Sequence, residues 1–273
     1  MPGRIEVVFH VPMHRFEVCG PERYHELMGS PDWWTKRGRL LEDYLLPNFR
    51  AQTCHDFDVL FTLRPEEREL AEPVVEPARR YGAEIAVAEY EPFPYPMAPQ
   101  YYPFICDRWA GADWLVVLHC AGDDLYATDT VERMRWQEPP TSGLILWWAQ
   151  GYIFDISSTR LARIGSERGP QAFYAGIYSG EALADPEAFD AYRKRWRFNR
   201  FHHEMSRAPR SRRQPDGGFC QLLHSANVGS GWAAPDTDKK LNGNVPAAQR
   251  AGILHKFGID FDLLRKLKAM GYA

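Results

Sequence analysis

The 273-residue sequence has no apolar run that approaches the roughly 20 residues needed to cross a membrane. Its first residues, MPGRIEVVFH, also lack the pattern of a secretory signal peptide. The five cysteines include no CxxC pair, which argues against a disulfide framework or a zinc site. The net charge of -3 gives no general attraction to nucleic acid, so composition disfavours that partner. We therefore expect a cytoplasmic protein.

What the sequence does contain is typical of one large globular domain. Hydrophobic residues make up 45% and charged residues 25% of the chain, enough to bury a substantial core. Aromatic residues reach 14%, with nine tryptophans, which is more than such a core requires. We expect some of these rings to line a cleft, where they would stack on bases or sugars.

The stretch WLVVLHCAGDD, residues 114–124, is the most informative one. Its apolar first half predicts a strand that is buried on both faces of a parallel sheet. After a turn at Ala121 and Gly122, the strand delivers Asp123 and Asp124 to its carboxyl end, where open α/β sheets bind ligands. Neighbouring carboxylates attract a divalent cation. The alternative is an Asp-rich turn that caps a helix beginning near Thr128.

Strands and helices alternate through the first half of the sequence. The predicted strands are 5–11, 58–63, 83–87 and 114–118, and the predicted helices are 39–49, 65–81 and 101–110. This order is typical of a parallel sheet with crossover helices. Strand-like pieces at 143–148, 151–156 and 172–179 follow, and then a helix with Asp185 as its N-cap. We expect an α/β fold with a Rossmann-like, mostly parallel sheet in the first half and a mixed sheet in the second.

Candidate nucleotide contacts lie where the first two strands end. They are His10, Pro12 and Arg15 after the first strand, and Arg64 after the second. A guanidinium group suits both stacking on a base and binding of phosphate oxygens. For Arg15 the alternative is ordinary packing within a loop.

Residues 193–213 hold nine Lys or Arg residues against one Glu, interleaved with aromatic residues. Such a run can be a solvated face. It can also grip an anionic acceptor or a phosphate, or make a peripheral contact with a membrane surface. An RNA-binding role would give an affinity that falls steeply with salt.

Three segments together resemble bacterial GT-A fold glycosyltransferases, specifically the family described as rhamnosyltransferases. The segments are RLLEDYLLPNFRAQTCHDFDVLF, WLVVLHCAGDDLYATDTV and FCQLLHSANV. The positions that match the family pattern are Pro47-Asn48-Phe49, Gln52, Asp56-Phe57, Asp123-Asp124, His224 and Asn227. The resemblance spans roughly residues 1 to 230, and it departs at Ala121, where the family has the first Asp of its acidic motif.

The resemblance implies a GT-A-like domain over residues 1–232, with a nucleotide-binding half (1–125) and an acceptor half (126–232). Residues 233–273 would be a C-terminal extension with a short helix. It further implies that Asp123, Asp124 and His224 hold Mn²⁺ or Mg²⁺, and that Asp123 and Asn227 contact the nucleotide. Without the resemblance, a histidine beside Leu222 and Leu223 would be read as a core residue.

The function that follows is metal-dependent transfer of a sugar from a nucleotide-diphosphate donor, UDP being favoured, to a glycan or other hydroxyl acceptor. Asp216 and Asp155 are candidates for the base that deprotonates the acceptor, although Asp155 could equally be a turn residue. A catalytically degenerate nucleotide-sugar-binding protein is the alternative, which Ala121 favours. A sugar-nucleotide pyrophosphorylase ranks lower, since the first strand opens no Gly-rich phosphate loop.

Overall fold

Strand β4 (Trp114–His119) lies in the middle of a seven-stranded sheet in the computed structural model. The structure describes residues 3–13, 30–88, 99–136, 143–165, 173–196, 210–223, 241–261 and 264. The other strands of this sheet are β1 (Ile5–Pro12), β2 (Asp58–Leu63), β3 (Ala83–Val87), β6 (Ile145–Trp148), β9 (Tyr174–Ser179) and β10 (Ser211–Gln214).

The sheet is parallel in its first half and mixed in its second. Its order is β10-β6-β9-β4-β1-β2-β3. The four strands from β4 to β3 are parallel, whereas β9 runs antiparallel to both β4 and β6. This arrangement confirms the predicted α/β class with a parallel half and a mixed half. The predicted bounds of β2 and β3 match the observed ones.

A second sheet of five strands has the order β12-β8-β7-β11-β5. Its strands are β5 (Asp124–Tyr126), β7 (Gln150–Asp155), β8 (Arg160–Gly165), β11 (Phe219–Leu223) and β12 (Leu241–Asn244). The sequence interpretation did not include β5, β8 or β12. β5 has three residues and β12 reads LNGN, so neither has the apolar alternation that predicts a strand; pairing with neighbours makes them strands.

The first helix is longer than predicted. It begins with α1 (Pro31–Leu40), continues through a π-helical turn (Leu41–Leu45) and ends with α2 (Leu46–Arg50). Ser30 caps it, because its side chain accepts a hydrogen bond from the Trp33 N–H at 3.2 Å. The helix continues past Pro47, which lies just after the π-helical turn. The start at Pro31, not at residue 39, corrects the sequence prediction.

The remaining helices are α3 (Arg68–Val75), flanked by 3₁₀ turns at Pro65–Glu67 and Glu76–Tyr81, then α4 (Tyr102–Arg108), α5 (Thr130–Trp136), α6 (Pro186–Trp196) and α7 (Ala247–His255). Three of them, α3, α4 and α6, lie close to their predicted places, and α5 lies where the alternative reading had a helix begin near Thr128. α7 was not predicted at its observed position. Asp185 caps α6 as predicted, since its Oδ1 accepts from the Ala188 N–H at 2.6 Å. Within the described residues, we find no helix of the length and apolar character that a bilayer span needs.

The two faces of the seven-stranded sheet bury two hydrophobic clusters. Phe9, Phe49 and Phe61 belong to the larger cluster, which also takes in residues of the second sheet such as Phe154 and Phe219. Residues near the end of the chain join this cluster as well, namely Val245, Leu254, Phe257 and Ile259. The smaller cluster, on the other face, includes Val8, Tyr102 and Phe189.

Candidate functional site

The acidic motif forms a tight turn between β4 and β5. The Asp124 N–H donates to the Ala121 carbonyl at 2.8 Å, and the Ala121 N–H donates to Asp124 Oδ2 at 3.2 Å. Asp124 is fully buried and opens β5, whereas the sequence interpretation placed it in a loop. We call residues 121–124 the acidic turn. Because Asp124 closes this turn, one of its carboxylate oxygens is occupied by a backbone N–H.

The ends of β1 and β2 lie beside the end of β4. His10 is paired in register with His119, and the Cys120 N–H donates to the His10 carbonyl at 2.9 Å. His10 is itself buried, and its Nε2 lies 3.0 Å from Thr62 Oγ1 at the end of β2. The His119 ring stacks on Tyr174 with centroids 4.9 Å apart. The carboxyl ends of three parallel strands therefore meet at the acidic turn, as the sequence predicted.

Two further predicted nucleotide contacts lie at the same edge. Pro12 is paired with Thr62 in register and is buried. Arg64 follows β2, where its N–H donates to Glu67 Oε2 at 2.8 Å and its Nη1 donates to Glu66 Oε1 at 3.1 Å. The other predicted contacts, Arg15 and Asn227, lie outside the described residues.

The thiols near the acidic turn are held protonated. Burial raises the pKa of the Cys120 thiol well above its usual value, and the charges of Asp124 and Asp123 raise it further. Burial also raises the pKa of Cys220, with a contribution from Asp124. Neutral, buried thiols are poor nucleophiles and poor metal ligands, so the chemistry of this turn belongs to its carboxylates.

Asp123 faces a cation that the sequence interpretation did not assign to the site. Nη1 of Arg37, on α1, lies 4.0 Å from Asp123 Oδ1, and both side chains are buried. A Cβ atom at Gly122 would lie 2.5 Å from Nη2 of the same guanidinium. Because the first helix was predicted to begin at residue 39, the sequence did not place Arg37 on a helix.

Strand β11 runs alongside the acidic turn. The Leu222 N–H donates to the Asp123 carbonyl at 2.8 Å, and Gln221 is paired with Asp124 in register. β11 ends at Leu223. The next residue, His224, was predicted to be a metal ligand and lies outside the described residues.

The two candidate bases lie at different ends of β11. Asp155 ends β7 and is paired in register with Leu223. Partial burial raises its pKa, but hydrogen bonds from the hydroxyls and N–H groups of Ser157 and Ser158 outweigh this effect and lower the pKa overall. Asp216 precedes β11, is exposed, and accepts from Arg213 Nη2 at 2.7 Å. Only Asp155 thus lies toward the end of β11 that contacts Asp123.

The described residues provide one well-placed carboxylate for a divalent ion. Among them, no group of three or more His, Cys, Asp or Glu side chains could hold a metal. Asp124 Oδ2 is engaged by the Ala121 N–H. A carboxylate oxygen is a ligand that Mg²⁺ and Mn²⁺ prefer. Asp123 is therefore the described residue whose chemistry and position fit such an ion.

The basic stretch 193–213 begins with a side chain that is not on a solvated face. Arg193 is buried, its Nη1 donates to the Tyr178 hydroxyl at 3.0 Å, and its guanidinium lies over the rings of Tyr102 and Phe189. Arg213 forms an exposed ion pair with Asp216. Residues 197–209 lie outside the described part of the chain, so the readings of this stretch as a phosphate grip or a membrane contact stay predictions.

Several solved structures are similar to this chain at low sequence identity. A mannosyltransferase from Pyrobaculum calidifontis in complex with GDP-Man and Mn²⁺ is 12% identical, with a TM-score of 0.42, and the match covers 94% of this chain and 70% of that one. The glycosyltransferase GlyE of Streptococcus pneumoniae is 9% identical, with a TM-score of 0.35, covering 100% of this chain and 64% of GlyE.

A nucleotidyltransferase is also among the similar structures. It is described as a glucose-1-phosphate thymidylyltransferase from Bacillus anthracis in complex with sucrose, and it is 10% identical, with a TM-score of 0.35, over 80% of this chain and 89% of that one. All three TM-scores lie below 0.5. No protein-family model matches the sequence, and neither does any curated protein.

Proposed function

We propose that this protein is a glycosyltransferase that moves a sugar from a nucleotide-diphosphate donor to a hydroxyl acceptor, such as a glycan. The observation that carries the proposal is the position of Asp123. It lies at the carboxyl end of the middle strand of the sheet, beside the ends of β1 and β2. Ligands of open α/β sheets bind at this edge. The same proposal includes the rhamnosyltransferase resemblance, cytoplasmic localisation and a domain over residues 1–232. The C-terminal extension adds β12 to the second sheet and residues of α7 to the core of this domain.

The proposed donor is a UDP-sugar, and the proposed cofactor is Mn²⁺ or Mg²⁺. A divalent ion would supply positive charge to the leaving diphosphate. Asp123 would be its carboxylate ligand, with Asp124 adding negative charge behind it, and His224 would be the nitrogen ligand. The hydrogen bond between Leu222 and Asp123 supports the role of His224, because it brings the strand that leads to this histidine beside the acidic turn.

The nucleotide would lie along the ends of β1 and β2. Pro12 and Arg64 belong to this edge, and we propose Arg15 and Asn227 as further contacts. His10 would contribute indirectly. Its buried ring is held by Thr62 and supports the backbone that precedes Pro12. Of the two candidate bases, Asp155 is the better supported, because it ends its strand beside Leu223. The hydrogen bonds that lower its pKa keep it ionised, but they also make it a weaker base.

A thermal-shift screen of UDP, GDP and dTDP, each with and without MnCl₂, tests this proposal. A ligand that binds only the folded protein raises the melting temperature. We expect one nucleotide to stabilise the wild type more strongly when Mn²⁺ is present, and Asp123→Asn to remove that increment. Asp107→Asn, at an exposed position on α4, is the matched control and should behave as the wild type. If no nucleotide shifts the wild type under either condition, the proposal is wrong.

A catalytically degenerate nucleotide-sugar-binding protein is the second candidate. Asp124, the second carboxylate of the pair, is turned inward to the Ala121 N–H, and Ala121 itself contributes no carboxylate. Both observations reduce the ligands available for an ion. Assays of donor hydrolysis and of transfer, with the nucleotide sugar that the screen selects, separate the two candidates. Binding without turnover for every acceptor tested would favour the degenerate protein.

A further inference from the structure

Arg37 lies against the acidic turn as a buried cation. Its side chain is only 8% exposed, and its guanidinium carbon lies 5.4 Å from the ring centroid of Trp33, one helical turn earlier. In a hydrogen-bonded ion pair, the nitrogen and the oxygen lie about 2.7–2.9 Å apart. At 4.0 Å, Arg37 Nη1 and Asp123 Oδ1 therefore attract each other without a direct hydrogen bond between these two atoms. A diphosphate carries more negative charge than one carboxylate, so it attracts the guanidinium more strongly.

Gly122 makes this approach possible. The guanidinium occupies the space that a side chain at position 122 would need, since a Cβ there would lie 2.5 Å from Nη2. Any residue larger than glycine would push the end of the Arg37 side chain off the acidic turn. The glycine and the arginine thus form a matched pair, which a variant at either position disturbs.

A second donor lies next to the guanidinium. Trp33 Nε1 is buried, and within the described part of the chain it has no hydrogen-bond acceptor. A buried N–H group normally has a partner, so its neighbourhood suits an acceptor brought by a ligand. A guanidinium fork and an N–H donor together match the oxygens of a phosphate group.

We propose that Arg37 binds the diphosphate of the nucleotide donor, and that it competes with a divalent ion for Asp123 until the diphosphate draws it away. This inference rests on the proposed function and adds an order of binding to it. Two cations beside one carboxylate repel each other, so an ion at Asp123 is disfavoured while the guanidinium lies 4.0 Å away. Nucleotide and metal then assist each other, because the coupling between two binding sites is reciprocal.

The test uses the full chain with two probes, MnCl₂ alone and UDP alone. Binding of Mn²⁺ is measured by loss of the electron paramagnetic resonance signal of the free ion, and binding of UDP by calorimetry in the presence of a chelator. For Arg37→Met we expect tighter Mn²⁺ binding and roughly 10- to 100-fold weaker UDP binding, the loss typical of hydrogen bonds to a charged group. Lys36→Met is the control. It removes the same charge from an exposed neighbour on α1 and should change neither affinity.

Gly122→Ala provides a second variant that keeps the charge. It displaces the guanidinium, so we expect both affinities to move in the same directions as in Arg37→Met. In the double variant, alanine at position 122 should add no further change, because the side chain that it displaces is gone. If a thermal melt shows that Arg37→Met does not fold, Gly122→Ala still tests the proposal.

The outcomes separate the two proposals. If Arg37→Met and Gly122→Ala both bind UDP and Mn²⁺ with wild-type affinity, the proposed role of Arg37 is wrong. The proposed function still stands in that case. If Arg37→Met and Lys36→Met change the two affinities equally, the change comes from the net charge, and the proposed role of Arg37 is wrong as well. If the wild type binds none of UDP, GDP and dTDP, with or without Mn²⁺, the proposed function fails, and the diphosphate-binding role fails with it.

Discussion

The Asn48 side chain forms hydrogen bonds with both the carbonyl and the N–H of Tyr126. Its Nδ2 donates to the Tyr126 carbonyl at 2.7 Å, and its Oδ1 accepts from the Tyr126 N–H at 3.4 Å. Nδ2 also donates to the Phe257 carbonyl at 3.0 Å. Tyr126 ends β5, the strand that Asp124 begins. The end of the first helix thereby fixes the strand that follows the acidic turn and ties it to the end of the chain.

Asn48→Ala should destabilise the protein by about 3 kcal/mol, because three backbone groups lose a buried partner. Urea unfolding followed by circular dichroism measures this change. Asn244→Ala is the control. This exposed asparagine accepts one hydrogen bond, from Arg160 Nε at 2.7 Å, so its loss should cost no more than about 0.5 kcal/mol. Equal losses for the two variants would contradict a structural role of Asn48.

Arg193→Ala should cost about 2–4 kcal/mol, because it leaves a cavity among Tyr102, Tyr178 and Phe189 and removes the hydrogen bond to the Tyr178 hydroxyl. Lys194→Ala changes the next residue, an exposed one that pairs with Asp190 on the surface of α6, and should cost about 0.5 kcal/mol or less. Urea unfolding of both variants makes the comparison. If Arg193→Ala loses as little stability as Lys194→Ala, Arg193 belongs to the solvated basic face that the sequence suggested.

Asp155 should stabilise the protein at neutral pH and lose this effect in acid. Partial burial raises its pKa, but the hydrogen bonds from Ser157 and Ser158 lower it below the ordinary value of 3.8. A lowered carboxyl pKa contributes stability that is complete above the unfolded value and disappears as pH falls through the folded value.

We therefore expect Asp155→Asn to be less stable than the wild type at pH 7 and to approach it as pH falls below 3.8. The free energy of unfolding measured in urea at pH 7 and at a pH below 3.8 tests this expectation. Asp107→Asn, at an exposed position on α4, is the control and should match the wild type at pH 7. A difference for Asp155→Asn that is the same at both pH values would rule out the ionised carboxylate as its source.

Buried tyrosines should make the protein sensitive to alkali. Burial raises the pKa of Tyr44 to about 12, with a contribution from Asp43, and burial also raises the pKa of Tyr178 to about 12, although Arg193 opposes this shift. In the unfolded chain tyrosines lose their protons near pH 10. The unfolded state is thus favoured as pH rises from about 10 to about 12.

We expect the free energy of unfolding to fall over this range, and tyrosinate absorbance at 295 nm to rise together with unfolding. Tyr178→Phe cannot ionise at this position, so its stability should fall less steeply than that of the wild type. Ionisation of every tyrosine near pH 10 while the fold persists would contradict the assigned burial.

Local pattern in the sequence determined the parallel half of the fold and the place of the acidic turn. β2 and β4 are short, mostly apolar runs buried on both faces, so their positions follow from the residues of each run. The same holds for the Asp185 cap of α6, which depends on neighbours only a few residues away. Asp123 could be placed at a strand end for this reason.

Only the tertiary structure decided what surrounds Asp123. β5 and β12 are strands because segments far away in the sequence pair with them, not because of their own composition. The contact between Arg37 and Asp123, and the bonds from Asn48 to Tyr126 and Phe257, join parts of the chain that no local pattern relates. Long-range pairing and buried electrostatics depend on how elements pack, and a linear sequence does not state that packing residue by residue.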